Sequence, residues 1–117
     1  MAHVFPWFVT PCLEAFGFLQ SRFGFDAPVV EQLGRECFIR YHKDSRWVSV
    51  AYEPGCVPIV ELFHPTNDIK HRRIPRLKTG LANPKRFADT DESQQRQTLQ
   101  AQATDLETME REFLSAT

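Results

Sequence analysis

Cysteine and histidine are the residue types in this sequence that can hold a metal ion or act as a nucleophile. The chain has three cysteines and four histidines. They are spread widely along it, at His3, Cys12, Cys37, His42, Cys56, His64 and His71. No CxxC or HxxxH spacing occurs among them, and the cysteines occupy core-like positions, where a free cysteine behaves as a small hydrophobe. We therefore expect no metal and no cofactor.

Catalysis without a metal would need a cysteine–histidine pair brought together in space or a pair of carboxylates. Glu53 and Glu61 are the carboxylates nearest to such an arrangement, but Glu53 lies at a turn and Glu61 on the solvated side of a strand. The five glycines are scattered, so no phosphate-binding loop is present. These residues do not favour a catalytic function. An enzyme with an unrecognised site is one alternative function.

Charge is strongly segregated along the chain, although the net charge is only −1. Residues 1–69 hold five Lys/Arg and eight Asp/Glu, residues 70–86 hold seven Lys/Arg and no acid, and residues 87–117 hold two and seven. A basic segment of this kind can bind nucleic-acid phosphates or dock on the acidic parts of its own chain. The candidate phosphate-binding residues are Arg72, Arg73, Arg76, Lys78, Lys85 and Arg86. Because no aromatic residue lies among them, base stacking is not offered.

The N-terminal part predicts one helix followed by strands. Helical spacing relates Cys12, Phe16, Leu19 and Phe23, and Thr10-Pro11 is a suitable helix start. Gly24 suits the left-handed position just after a helix, so the second of the two Phe-Gly-Phe tripeptides is a stop signal. The first tripeptide is expected inside the helix.

Four strand-like runs follow, covering residues 28–33, 36–42, 47–53 and 57–63. A loop at Asp44-Ser45 would pair Tyr41 with Val48, Ile39 with Val50 and Cys37 with Tyr52, which matches apolar faces. The fold class is therefore α+β, with the N-terminal helix packed on an antiparallel meander of about four strands.

After Pro65 the composition changes, and three segments are predicted. Residues 1–65 form a small α+β domain, residues 66–88 a basic loop or arm, and residues 89–117 a long C-terminal helix. The helix has a narrow stripe of Leu99, Leu106 and Phe113 at heptad spacing, which suits pairing with another helix and favours a homodimer slightly over packing on the chain's own sheet. Either arrangement would bury the stripe.

One face of the sheet is covered by the N-terminal helix, and the other face carries Phe38, Arg40, His42 and Trp47. An aromatic patch of this kind is usually covered, by the C-terminal segment or by a second protein. We therefore take these four residues, together with Leu99, Leu106 and Phe113, as the candidate protein-binding set. No apolar stretch approaches the length of a membrane span, and no signal peptide is recognised. The odd number and wide spacing of the cysteines favour a reducing compartment. We therefore expect a cytoplasmic location.

Three stretches in residues 13–63, LEAFGFLQSRFGF, FIRYHKDSRWVSVAYEPG and PIVELF, give a Phe-rich helix ending in Gly-Phe, an aromatic hairpin and a further strand. In this order they resemble small bacterial proteins of the polymorphic-toxin immunity type and their uncharacterised relatives. The resemblance covers under half of the chain and transfers no functional residue. It implies a stoichiometric, non-catalytic role in binding another bacterial protein. The basic segment 70–86 makes a nucleic-acid-associated protein the first alternative to that role.

Overall fold

The computed structural model describes residues 5–44, 46–54, 57–64, 70–73 and 92–115. These residues form four helices and five strands. In chain order they are α1 (Pro6–Ala15), α2 (Phe18–Phe23), β1 (Val29–Leu33), β2 (Glu36–Lys43), β3 (Arg46–Tyr52), β4 (Ile59–His64), β5 (Lys70–Arg73), α3 (Glu92–Met109) and α4 (Arg111–Ser115).

The predicted α+β class and the antiparallel meander are confirmed. Neighbouring strands pair antiparallel in the order β1-β2-β3-β4-β5. The central hairpin has the predicted register, with Tyr41 opposite Val48, Ile39 opposite Val50 and Cys37 opposite Tyr52. Because a slip by one residue would turn every apolar side chain to the other face, the matched burial of these pairs fixes the register.

A fifth strand lies in the segment that the sequence predicts to be a loop. Lys70–Arg73 pairs with β4, which places Arg73 opposite Glu61 and Arg72 opposite Leu62. The predicted loop at 66–88 is therefore wrong at 70–73. Four consecutive polar residues show no alternation, so the strand is specified by its pairing with β4 rather than by an intrinsic preference. The other residues of that segment, including Arg76, Lys78, Lys85 and Arg86, lie outside the described residues.

The N-terminal region is two short helices rather than one. Helix α1 begins at Pro6, five residues before the predicted start, and contains Pro11. Proline is favoured at the first helical position because its missing N–H has no partner there anyway, which suits Pro6. The chain leaves α1 at Phe16 and re-enters helix after Gly17, so the first Phe-Gly-Phe spans a break instead of lying within a helix.

The end of α2 agrees with the sequence prediction. Gly24 has φ 76° and ψ 22°, the left-handed conformation expected just past a helix. The amides of Gly24 and Phe25 both donate to the carbonyl of Leu19, the latter at 2.9 Å. Phe25 then folds back into the core and is buried.

Helices α1 and α3 both contribute to the core on one face of the sheet, which we call the inner face. Its buried strand residues are Cys37, Ile39, Tyr41, Val48, Val50, Tyr52, Val60 and Leu62. Phe8 of α1 stacks on Tyr52 with ring centres 4.9 Å apart. Helix α3 packs against α1, and the amide of its buried Gln102 donates to the carbonyl of Pro58 at 2.8 Å. The two helices thus share one face of the sheet.

Replacing Gly24 by alanine should destabilise the fold by about 1 kcal/mol or more, because a residue with a Cβ resists positive φ. A Cβ at Gly24 would meet no atom within 4 Å, so backbone strain is the only cost. The control is Gly17→Ala: Gly17 has φ −59°, so an alanine there meets no strain in φ, although its Cβ would lie 3.3 Å from the carbonyl oxygen of Leu13. Urea unfolding of both variants measures the difference. A Gly24→Ala variant as stable as the wild-type chain would show that the left-handed conformation costs an alanine nothing.

Candidate functional site

The face of the sheet opposite the helices, which we call the outer face, brings together four of the predicted docking residues. Phe38, Arg40 and His42 alternate along β2 with the buried residues Cys37, Ile39 and Tyr41. Trp47 of β3 lies directly opposite His42. All four are half-buried, whereas the inner-face residues between them are almost fully buried. Strand alternation therefore places these side chains on one surface.

His42 and Trp47 form a stacked aromatic pair. Their ring centres are 4.2 Å apart and the ring planes differ by 28°. The amide of Asp26 donates to the carbonyl of His42 at 2.8 Å, and His42 Nδ1 lies 3.8 Å from Asp26 Oδ2. The backbone bond attaches the loop after α2 to β2, and the imidazole stacks on the indole while the Asp26 carboxylate lies beyond hydrogen-bond distance.

Arg40 connects a second aromatic ring to the edge of the sheet. Its guanidinium carbon lies 4.4 Å from the centre of the Phe38 ring, within the range of a cation–π interaction. Arg40 Nη1 also donates to Glu31 Oε1 of β1 at 2.6 Å. The side chain of Arg40 remains 34% exposed, so this pair contributes little to stability but does restrict the guanidinium.

The register carries the outer face across to β4 and β5. Phe63 lies opposite Trp47 and His71 lies opposite Phe63, which forms one row with His42. Arg40, Ser49, Glu61 and Arg73 form the neighbouring row. Of the predicted phosphate-binding set, Arg73 therefore has an outer-face position, whereas Arg72 has the inner-face position opposite Leu62.

The stripe on the C-terminal helix lies elsewhere. Leu99 and Leu106 are 0% exposed and belong to the same core cluster as α1 and the inner-face strands. Assigning them to a docking surface was therefore wrong, because their own chain already buries them. Phe113 lies in α4, and its side chain is outside the described part of the structure.

Sequence reasoning missed Asp26, whose backbone amide bonds to His42, and Glu31, whose carboxylate accepts a hydrogen bond from Arg40. Glu31 could have been found, since its pairing opposite Phe38 follows from extending the β2 register through the turn at Gly34-Arg35. Asp26 could not, because its contact with His42 depends on how the loop after α2 returns to the sheet.

A polar cleft of about 710 Å³ lies between the α1–α2 turn and α3. Glu14, Gly17, Phe18, Arg22 and Glu107 are among its lining residues. Its charged groups are already paired: Arg22 Nη1 donates to Glu107 Oε2 at 2.7 Å, and Arg96 Nε donates to Glu14 Oε1 at 3.0 Å. The charged groups that line the cleft are therefore in ion pairs within the chain.

The buried thiols are not activated as nucleophiles. Burial raises the pKa of Cys12 well above its usual value, and the neighbouring Cys37 raises it further. Burial also raises the pKa of Cys37 and of Tyr41, the latter with a contribution from Cys12. A raised pKa keeps a thiol protonated, whereas the thiolate is the nucleophile.

Two further findings concern the described residues alone. They contain no group of three or more His, Cys, Asp or Glu side chains arranged to hold a metal ion. None of their helices has the length and apolar character required to cross a membrane.

In comparisons with known proteins, no family model, no curated protein and no solved structure matches the chain.

The thiols of Cys12 and Cys37 should resist a thiol reagent in the native protein at pH 8, because both are buried and protonated. In a Cys56→Ser background, the reagent should label two thiols in denaturant and label them far more slowly without it. Absorbance of the released thiolate measures both rates. Fast native labelling of either residue would contradict the burial and the raised pKa together.

Proposed function

We propose that this protein is a non-catalytic protein-binding module whose docking surface is the outer face of its sheet. The observation that carries the proposal is the arrangement of two aromatic residues, each held by a neighbouring cationic or titratable side chain. Trp47 is stacked with His42 at 4.2 Å, and Phe38 lies under Arg40 at 4.4 Å. Tryptophan and arginine are enriched among the residues that dominate binding energy at protein interfaces.

The restricted conformations of the side chains on this surface favour binding. A side chain that is already restricted loses less rotational freedom when a partner covers it. Stacking on Trp47 restricts His42, and the hydrogen bond to Glu31 restricts Arg40. A partner lying on the outer face would bury the exposed parts of both rings without first having to order them.

The partner that we propose is another bacterial protein, bound with fixed stoichiometry by an immunity or inhibitor-type mechanism. The resemblance of residues 13–63 to immunity-type proteins supports this, and the paired rings lie within that segment. A binding role also agrees with the protonated state of the buried thiols Cys12 and Cys37, which leaves them without nucleophilic character.

A photo-crosslinking residue at Ile59 tests where a partner binds. Ile59 lies on the outer face, opposite Ala51, and is half-buried. The matched control carries the crosslinker at Gln100, which is exposed on α3. Irradiation in the source organism should give a defined adduct from Ile59 and not from Gln100, and mass spectrometry identifies the protein attached. Adducts from Gln100 alone would place the docking surface on the helices.

With that partner purified, Trp47→Ala should weaken the complex about tenfold or more, since interface tryptophans often contribute 2 kcal/mol or more. Arg40→Glu should weaken it as well, whereas Gln100→Ala should leave the affinity unchanged. Calorimetry measures the affinity and circular dichroism checks that each variant is folded. An unaltered affinity of both outer-face variants would refute the proposed surface.

Nucleic-acid binding is a second candidate, favoured by one specific observation. Strand β5, with the sequence KHRR, extends the sheet next to β4, and its His71 lies in the same row as Phe63 and Trp47. In the sequence the next aromatic residue after the basic run is Phe87, whereas the register puts strand β5 in the same sheet as Trp47, two strands away. A sheet that carries both basic and aromatic residues is an arrangement that binds single-stranded nucleic acid.

If the protein binds nucleic acid, its affinity for a single-stranded oligonucleotide should fall steeply between about 50 and 200 mM salt, because binding releases counterions. Arg73→Ala should weaken binding for all sequences alike, and Trp47→Ala should weaken it by the loss of stacking. Fluorescence anisotropy measures both effects, with Arg111→Ala on the exposed side of α4 as the control. The absence of binding at about 50 mM salt would eliminate this candidate.

A further inference from the structure

Strand β1 is an edge of the sheet with unusually accessible apolar side chains. It pairs with β2 and with no other strand of the described residues. Val29 is 58% exposed and Leu33 is 49% exposed, and the third exposed large apolar residue among those described is Met109. An edge strand also presents unpaired backbone amides and carbonyls, which can pair with a further strand.

The usual protections of an edge strand are weak in β1. Its register with β2 is continuous over all five residues, so no bulge turns it away from a neighbour. Pro28 precedes the strand and does not interrupt it. The one charged residue of β1 is Glu31, and its carboxylate already accepts a hydrogen bond from Arg40 at 2.6 Å. Its charge is therefore partly balanced across the outer face.

We infer that β1 is a dimerisation edge, at which it pairs antiparallel with β1 of a second copy of this chain. A two-fold axis at Glu31 sets Val29 of one protomer opposite Leu33 of its partner, and the same contact is repeated on the other side of the axis. Both exposed apolar residues of the strand are then covered at once. This self-complementarity, apolar residues two positions to either side of a central residue, is what favours a second copy over an unrelated extended segment.

The same axis sets the two copies of Glu31 opposite one another. Directly opposed like charges destabilise a strand pair, but here each carboxylate is held by Arg40 of its own protomer. The interface is also short, so the dimer is of the weak class that buries a small area. The geometry points to a reversible dimer that Glu31 weakens without preventing.

Pairing at β1 would join the two five-stranded sheets into one continuous sheet. Phe38 lies opposite Glu31 on β2, so Phe38 of each protomer would lie one strand from the axis on the shared outer face. The dimer therefore brings two copies of the candidate docking surface side by side. This inference does not depend on what that surface binds.

Sedimentation velocity over a concentration series tests the dimer. The wild-type chain should dimerise by roughly 1 mM, the weak end of specific association. Val29→Lys and Leu33→Lys should each keep it monomeric, because a charge would replace the apolar contact. Met109→Lys is the control, since it changes an apolar residue of similar exposure, 42%, away from β1. Glu31→Gln should tighten the dimer about two- to fivefold by removing the opposed charges.

Disulfide crosslinking tests the register independently of affinity. In a Cys56→Ser background, Glu31→Cys places two thiols opposite each other at the axis, within reach of a disulfide. Mild oxidation should give a covalent dimer, and Glu36→Cys, on the turn-proximal end of the neighbouring strand β2, should give much less. A chain that stays monomeric at roughly 1 mM even as Glu31→Gln would overturn the inference. So would a dimer that Met109→Lys dissociates as fully as Val29→Lys, or equal crosslinking of Glu31→Cys and Glu36→Cys.

Discussion

The burial of a single sheet face under two helices is the constraint on which the rest of this structure depends. A sheet buries one face against another layer to form a core, and here α1 and α3 both contribute to the core on the inner face. Leu99 and Leu106 of α3 join residues of α1, β2 and β3 in one buried cluster. A helix with the polar composition of α3 would be marginal in water alone, so this packing is what stabilises it. Because α3 lies beside α1, it is not on the outer face.

The outer face is consequently organised by contacts between its own side chains. Arg40 lies over the ring of Phe38, and His42 stacks on Trp47. These contacts cover part of each aromatic ring and hold it in one orientation, but they leave the side chains half-buried. A core residue is enclosed on all sides, whereas these side chains keep part of their surface exposed. The same side chains that keep this face compact in the free chain are those that we propose a partner contacts.

Glu31 connects the two proposals made for this protein. Its carboxylate restricts Arg40 within the candidate docking surface, and the same carboxylate is the central charge of the β1 edge. A partner bound on the outer face and a second protomer bound at the β1 edge would therefore both lie against the Glu31–Arg40 pair. At the far side of the sheet, Glu61 of β4 lies opposite Arg73 of β5. Opposite charges thus lie diagonally to each other on β1 and β2, at Glu31 and Arg40, and directly opposed in register at Glu61 and Arg73.

The sequence by itself determined the local features that rest on short-range chemistry. Alternation in β2 and β3 fixes which residues face the core, and with the loop at Asp44-Ser45 it fixes their register. The positive φ of Gly24 follows from the need for a left-handed residue after a helix. The sequence also predicted that one face of the sheet carries Phe38, Arg40, His42 and Trp47, because strand alternation alone puts them there.

Only the tertiary structure decided where the less regular segments lie. The residues 70–73 have no apolar alternation and become a strand because β4 offers them a partner. The stripe of Leu99 and Leu106 satisfies a helix pair and a packed core equally well, and the choice depends on the space beside α1. Asp26 reaches His42 through the path of a loop, which no periodicity encodes. Local preferences thus determined β2, β3 and the end of α2, whereas strand β5 and the contacts over long sequence separations were set by which surfaces remained to be buried.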